Sequence, residues 1–154
     1  MVVSIVKENE FEELHQMIAK TCRISFPKYY PQKSIDYVIE SLKPAKLKER
    51  ASYAHFYVVK HENKIIGCGA ISSYWGSETE SILLTIFVDP DYQGKGVGRL
   101  IMNTLESDEY AIRANRIEIP AGMVAIPFYK KFGYEHKNGE LNYDDGPFSM
   151  EKFK

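Results

Sequence analysis

Several things are scarce in this chain of 154 residues, and each scarcity removes a class of protein. Cysteine occurs only as Cys22 and Cys68, with no CxxC pair, so neither a disulfide framework nor a thiolate zinc site is expected. No stretch approaches the ~18 consecutive apolar residues of a membrane helix. The apolar part of MVVSIVKENEF is too short and too soon acidic for a secretory leader, so the expected setting is cytoplasmic and away from membranes. Net charge is −1, which supplies no bulk attraction to nucleic acid. Repeats and low-complexity tracts are missing. Asp144-Asp145 could be read as metal ligands, but Asp144-Asp145-Gly146-Pro147 has turn chemistry and no further ligands accompany it; no metal is expected. The phosphate-loop pattern G-x-x-x-x-G-K-[ST] and the dinucleotide fingerprint G-x-G-x-x-G are absent as well.

What is there suits one ordinary globular domain, residues 1–154, with 44% hydrophobic and 27% charged residues. Eleven tyrosines and eight phenylalanines hint at an aromatic-lined cleft as well as a core. The stretch around which the chain is organised is Val88-Asp89-Pro90-Asp91-Tyr92-Gln93-Gly94-Lys95-Gly96-Val97-Gly98-Arg99. The run from Ile82 to Val88 before it is β-branched and aromatic and reads as a buried strand. After it, apolar residues at 97, 100, 101, 104 and 105 have helical spacing. Strand, glycine-rich turn and helix N-terminus together bring unpaired N–H groups, a helix dipole, Lys95 and Arg99 to one place, which suits a phosphate or pyrophosphate.

The remaining elements read as follows. Val2 to Val6 is an edge strand. Asn9 is placed to cap a helix carrying Phe11, Leu14, Ile18 and Cys22 on one face, with His15 beside it as a packed histidine. Phe26-Pro27-Lys28-Tyr29-Tyr30-Pro31 is an irregular connection, and Ser34 is placed to cap a second helix with Ile35, Val38, Ile39 and Leu42. Residues 43–50 form a basic, solvated stretch to which no function attaches. Residues 54–60 and 64–74 form a hairpin about Glu62-Asn63, where Gly67 and Gly69 signal a bulge or a close backbone approach. Cys68 between them reads as a small buried residue. Arg116 to Ile119 is a strand that Pro120 breaks. A helix with Ala125, Phe128, Tyr129 and Phe132 ends at Gly133, and Asn138-Gly139 is a turn before a last strand at 148–153.

Two motifs carry a family resemblance. Gln93-Gly94-Lys95-Gly96-Val97-Gly98 fits [QR]-x-x-G-x-[GA] preceded by V-x-P. Ala125, Phe128, Tyr129, Gly133 and Tyr134 fit [NS]-x-x-A-x-x-[FL]-Y-x-x-x-G-[FY]. Together they make the chain resemble the GNAT superfamily of N-acetyltransferases across roughly its last two-fifths. It departs from the pattern at Gly122, where the family commonly has Asn or Ser to bind the coenzyme arm or cap the helix. Pro127 inside the helical pattern should delay or distort the first turn. The resemblance implies an α/β (α+β) fold with a mixed, mostly antiparallel sheet of six to seven strands and helices on both sides. Two central strands, near 80–88 and 115–119, should splay to admit acetyl-CoA as cosubstrate.

By the same resemblance, the backbone of Ile86, Phe87 and Val88 meets the pantetheine arm, and Gln93, Gly94, Lys95, Gly96, Val97, Gly98 and Arg99 hold the pyrophosphate. Tyr129 meets the thioester sulfur as general acid. Glu80, with Glu78 second, is the candidate base, directly or through water. The implied acceptor is the amine of a small molecule or a peptide, and a homodimer is compatible with this picture. Two rival readings stay open: a non-catalytic acyl-CoA-binding regulatory module, and a nucleotide-phosphate-binding protein using the glycine turn alone.

Overall fold

The computed structural model describes residues 1–137 and 148–154. The strands are β1 (Val2–Ile5), β2 (His55–His61), β3 (Lys64–Ser73), β4 (Glu80–Val88), β5 (Arg116–Ala121), β6 (Glu135–His136) and β7 (Phe148–Phe153). The helices are α1 (Phe11–Ser25), α2 (Gln32–Ser41), α3 (Pro44–Ala51), α4 (Val97–Glu106), α5 (Glu109–Ile112) and α6 (Ile126–Lys130). One sheet takes all seven strands in the order β1-β2-β3-β4-β5-β7-β6, and every pairing is antiparallel except β4 with β5. The turn signals at Asn138-Gly139 and Asp144 to Pro147 lie outside the described residues.

The sheet buries both faces. On one side Leu14, Ile18 and Cys22 of α1, Ile35 of α2 and Leu47 of α3 pack with Phe56, Cys68 and Ala70 of the strands. On the other, Ile101, Met102 and Leu105 of α4 pack with Ile71, Leu83, Ile117 and Ile119. The α1 stripe at 11, 14, 18 and 22 is therefore the buried one, as its spacing predicts. Its start differs from expectation: a short 3-10 turn at Glu8–Glu10 precedes α1, and the Glu10 carboxylate, not Asn9, accepts the Lys7 N–H at 2.7 Å. Pro31, rather than Ser34, stands at the N-cap of α2, because its extended backbone (ψ 157°) enters the helix directly and places Ser34 in the first turn. The basic stretch 43–50 folds as α3, with Pro44 in its first turn, where the missing N–H costs nothing.

Gly67 and Gly69 lie under α4. A Cβ at Gly69 would stand 2.7 Å from Ile101 and 3.0 Å from Leu105; one at Gly67 would stand 2.9 Å from Val97. The missing side chains let the helix settle onto β3, the close approach that the sequence signals. Gly69→Ala should therefore destabilise the fold by about 1–3 kcal/mol through overpacking, read as a lowered urea midpoint with an unchanged m-value.

β5 runs on through Pro120 to Ala121, where the sequence suggests a break. Pairing with β7 continues to Ala121↔Phe148, but pairing with β4 stops at Ile82↔Glu118. Beyond Glu118 the β4 side of β5 is thus an unpaired edge, and an edge tolerates proline.

Candidate active site

β4 and β5 pair in parallel through only Glu80↔Arg116, Ser81↔Ile117 and Ile82↔Glu118, and then separate. The splay predicted for these two strands is present. It changes the burial of β4: instead of a fully buried central strand, Leu84 to Val88 are only half-buried. The departing half of β4 also carries an irregularity. Cys68↔Phe87 and Ala70↔Leu84 leave one extra residue on β4, and Thr85 has φ +56°. A β-branched residue in the left-handed region is an outlier that the surroundings must enforce.

β4 delivers the chain to the glycine turn. Asp89, 1% exposed, accepts the Asp91 N–H at 2.9 Å and pairs with Lys20 of α1 at 2.9 Å, fixing how the strand ends. Gln93 donates to the Val88 carbonyl at 3.3 Å. Gly94 (φ +76°) and Gly96 (φ +85°) occupy conformations that favour glycine, and a Cβ on either would meet open space. Gly96 is the N-cap of α4 and no side chain caps the helix, so its first-turn N–H groups have no capping acceptor from a side chain. Gln93, Gly94, Lys95, Gly96 and Arg99 are exposed, and the Val97 side chain enters the core. Lys95 and Lys64 both lie over the Tyr92 ring, and Arg99 lies over Phe132. The turn is a backbone cradle with cations at its rim. Gly98 plays a different part, since its missing Cβ makes room for the Phe128 ring, 2.9 Å from where that Cβ would stand.

The segment after β5 starts as a 3-10 turn at Met123–Ala125 and becomes α6 only at Ile126, with Pro127 in its first turn. This is the late, distorted start that Pro127 predicts. Phe128 is half-buried against Gly98 and Phe132, whereas Tyr129 beside it is 4% exposed. Tyr129 packs edge-on to Tyr134. Burial first, and Cys68 second, raise the hydroxyl's pKa, so it stays protonated at neutral pH. The Cys68 thiol is also pushed up by burial, and it donates to the Thr85 carbonyl at 3.1 Å, a packed rather than a nucleophilic cysteine.

Gly122 offers no side chain to cap this corner, and a distant residue does so instead. The Tyr30 hydroxyl accepts the Met123 N–H at 2.7 Å. Tyr30 is edge-on to Phe26, whose ring centroid lies 6.5 Å from that of Phe87 on β4. The aromatic connection between α1 and α2 thus reaches from β4 to the turn that precedes α6. No local sequence signal shows a cap supplied from 93 residues away.

The candidate bases lie at and just before the paired end of β4. Glu78 lies in the β3–β4 connection. Glu80 accepts from Arg116 Nε at 2.7 Å, and the same guanidinium donates to Glu118 at 3.0 Å and Glu151 at 3.1 Å. Lys137 pairs with Glu118 at 2.9 Å, and both cations lie over the Tyr74 ring. Sequence reasoning missed this network and Glu118 within it, the last residue of β5 paired to β4. Its one local signal is a carboxylate inside the apolar strand Arg116-Ile117-Glu118-Ile119. At 3.3 Å per residue, Glu80 lies about 20 Å along the strand from Ile86.

Comparison with known proteins agrees with this geometry. The family described as an acetyltransferase (GNAT) domain matches residues 52–136, more than half of the chain. An uncharacterized N-acetyltransferase of Methanocaldococcus jannaschii is 35% identical over an aligned length of 91 residues, a match that covers 53% of this chain and 39% of that relative's length. The PaiA N-acetyltransferase of Thermoplasma acidophilum, solved in complex with coenzyme A, superposes over 100% of both chains with TM-score 0.81 at 19% identity. An aminoglycoside 6′-N-acetyltransferase complexed with coenzyme A superposes over 99% of this chain and 97% of its own, with TM-score 0.65 at 18% identity. At such identities these structures speak for the fold alone. With parting strands, a glycine turn and a tyrosine helix in one matched stretch, the chain belongs to the GNAT acetyltransferase family.

Proposed function

We propose that this chain transfers an acetyl group from acetyl-CoA to a primary amine by direct attack of the amine on the thioester. The observation that supports it most is the continuity of one path. The gap between β4 and β5 is bordered by half-buried Ile86 to Val88, the chain then runs to the uncapped N-terminus of α4, and Tyr129 belongs to the same apolar cluster as Ile86 and Val88. In this reading the pyrophosphate sits on the amides of Gly94 to Gly98, and the pantetheine arm adds to the open edge of β4 as an extra strand would. The Val88 N–H is offered to the thioester oxygen as it gains charge. Tyr129 gives a proton to the departing thiolate, while the C–S bond breaks and the C–N bond forms.

The amine must be neutral to attack, and a free alkylamine has a pKa near ~10.4. With Glu80 about 20 Å along the strand from Ile86, a chain of waters must carry the proton. Glu80 is its proposed end point, with its hold on Arg116 competing for the same oxygens. Glu80→Gln should then lower kcat by a fewfold at neutral pH and less at high pH, where free amine is abundant. A loss equal at all pH values would assign Glu80 to binding or structure.

The acceptor lies, in this proposal, against Phe26 and Tyr30, which suits an amine next to an apolar or planar group. Structural relatives include an enzyme for an aminoglycoside, a polyamine-substituted sugar, and amines of that kind belong in the test panel. The test follows thiol release from acetyl-CoA across small amines, amino acids, aminoglycosides and peptides. Release with at least one of them supports the proposal. Tight acetyl-CoA binding with no release from any amine would favour a non-catalytic CoA-binding module.

A further inference from the structure

Arg50 lies at the end of α3, a helix with no other part in the site. Its Nη1 donates to the Thr85 hydroxyl at 2.5 Å. Thr85 is the residue at which β4 leaves regular geometry, with φ +56° and one extra residue opposite Cys68 to Ala70. A threonine resists that conformation for two reasons: its Cβ crowds the backbone at positive φ, and branching limits its rotamers. Such a residue keeps its conformation only where its surroundings impose it. Two side chains do so here. Arg50 holds the hydroxyl, and Cys68 holds the carbonyl with its S–H at 3.1 Å.

We infer that Arg50 is a positioning residue for the coenzyme: it locks the Thr85 bulge and so fixes which way the backbone of Ile86 to Val88 faces. This rests on the proposal that those residues meet the pantetheine arm. The reason is register. Side chains and amides alternate along a strand, so gaining or losing one residue reverses everything beyond it. Without the bulge, the amides of Ile86 to Val88 would exchange their outward and inward orientations toward the gap. The clamp is mounted firmly. The Arg50 carbonyl accepts the N–H groups of Tyr53 and Ala54 at 3.2 and 3.0 Å, its Nε donates to the Tyr53 hydroxyl at 3.3 Å, and Leu47 anchors α3 in the core.

If the guanidinium acts only by enforcing an unfavourable backbone, a residue that adopts that backbone freely should make it dispensable. Glycine at position 85 is such a residue. Coenzyme A binding is measured by calorimetry for the wild type, Arg50→Met, Thr85→Gly and the double variant, with circular dichroism as the check on folding. Arg50→Met should bind about tenfold more weakly. Thr85→Gly should stay within about twofold of the wild type, and the double variant should match Thr85→Gly rather than Arg50→Met. Arg50→Met binding like the wild type, or a double variant as weak as Arg50→Met, overturns the inference. The second result would place Arg50 directly on the ligand.

Backbone chemical shifts of Thr85 in the ligand-free proteins separate this inference from the coenzyme proposal. A shift away from positive φ in Arg50→Met supports the clamp even if the wild type binds no coenzyme A, a failure that belongs to the coenzyme proposal. Positive φ retained in Arg50→Met overturns the clamp.

Discussion

Gly96→Glu should weaken acetyl-CoA binding at least tenfold, about 1.4 kcal/mol, while the protein stays folded. Gly96 has φ +85° at the N-cap of α4, and a Cβ there would meet nothing within 4 Å. The substitution therefore forces no clash in the core. It has two effects at the turn. A side chain strains a left-handed residue by roughly 1 kcal/mol, and a carboxylate puts negative charge where the helix dipole and amides favour an anion. Gly96→Ala separates the two, because it strains the backbone and adds no charge. Glutamate should bind acetyl-CoA more weakly than alanine does, and more so at low salt, where charges are less screened. Calorimetry at two ionic strengths reads both differences. Equal affinities for Ala and Glu would move the pyrophosphate away from this turn.

The turn was legible because its requirement is local. Positive φ at 94 and 96 asks for glycine, and the residues at those positions announce it. The Pro127 effect on α6 was readable for the same reason, since a proline acts on its own turn. Where tertiary pairing decides, the sequence was less informative. Pro120 looks like a strand end until β5 is seen to have lost its β4 neighbour. Thr85 carries no sign of its bulge, because the enforcing groups, Arg50 and Cys68, are 35 and 17 residues away. The Tyr30 cap on Met123 is equally invisible, although Gly122 shows that a local cap is missing. Glu80 and Glu78 read alike along the chain; only pairing of the strands shows that one of them faces Arg116. The splay itself came from the family resemblance, since nothing in the periodicity of β4 foretells where its partner leaves.

Tyr129→Phe should lower kcat by about ten- to a thousandfold, with KM for acetyl-CoA little altered. The substitution keeps the ring, which packs on Tyr134 and Phe128, and deletes only the oxygen. The hydroxyl's pKa is raised by burial first and by Cys68 second, and the ring that packs the corner is retained, so the fold should lose little with the oxygen. Melting temperature should stay the same or rise slightly. The raised pKa also fixes the sign of a pH effect. A tyrosine that ionises later than a free phenol, near ~10, keeps its proton throughout the neutral and mildly alkaline range. It remains able to donate as pH rises, and any alkaline fall in kcat below about pH 10 must come from another group. Removing an acid that acts in the transition state lowers kcat and kcat/KM together and leaves ground-state binding alone. Steady-state thiol release with the best amine, beside a melting curve, reads both quantities. An intact kcat in Tyr129→Phe would make Tyr129 a packing residue of the α6 corner and leave water as the proton donor to the thiolate.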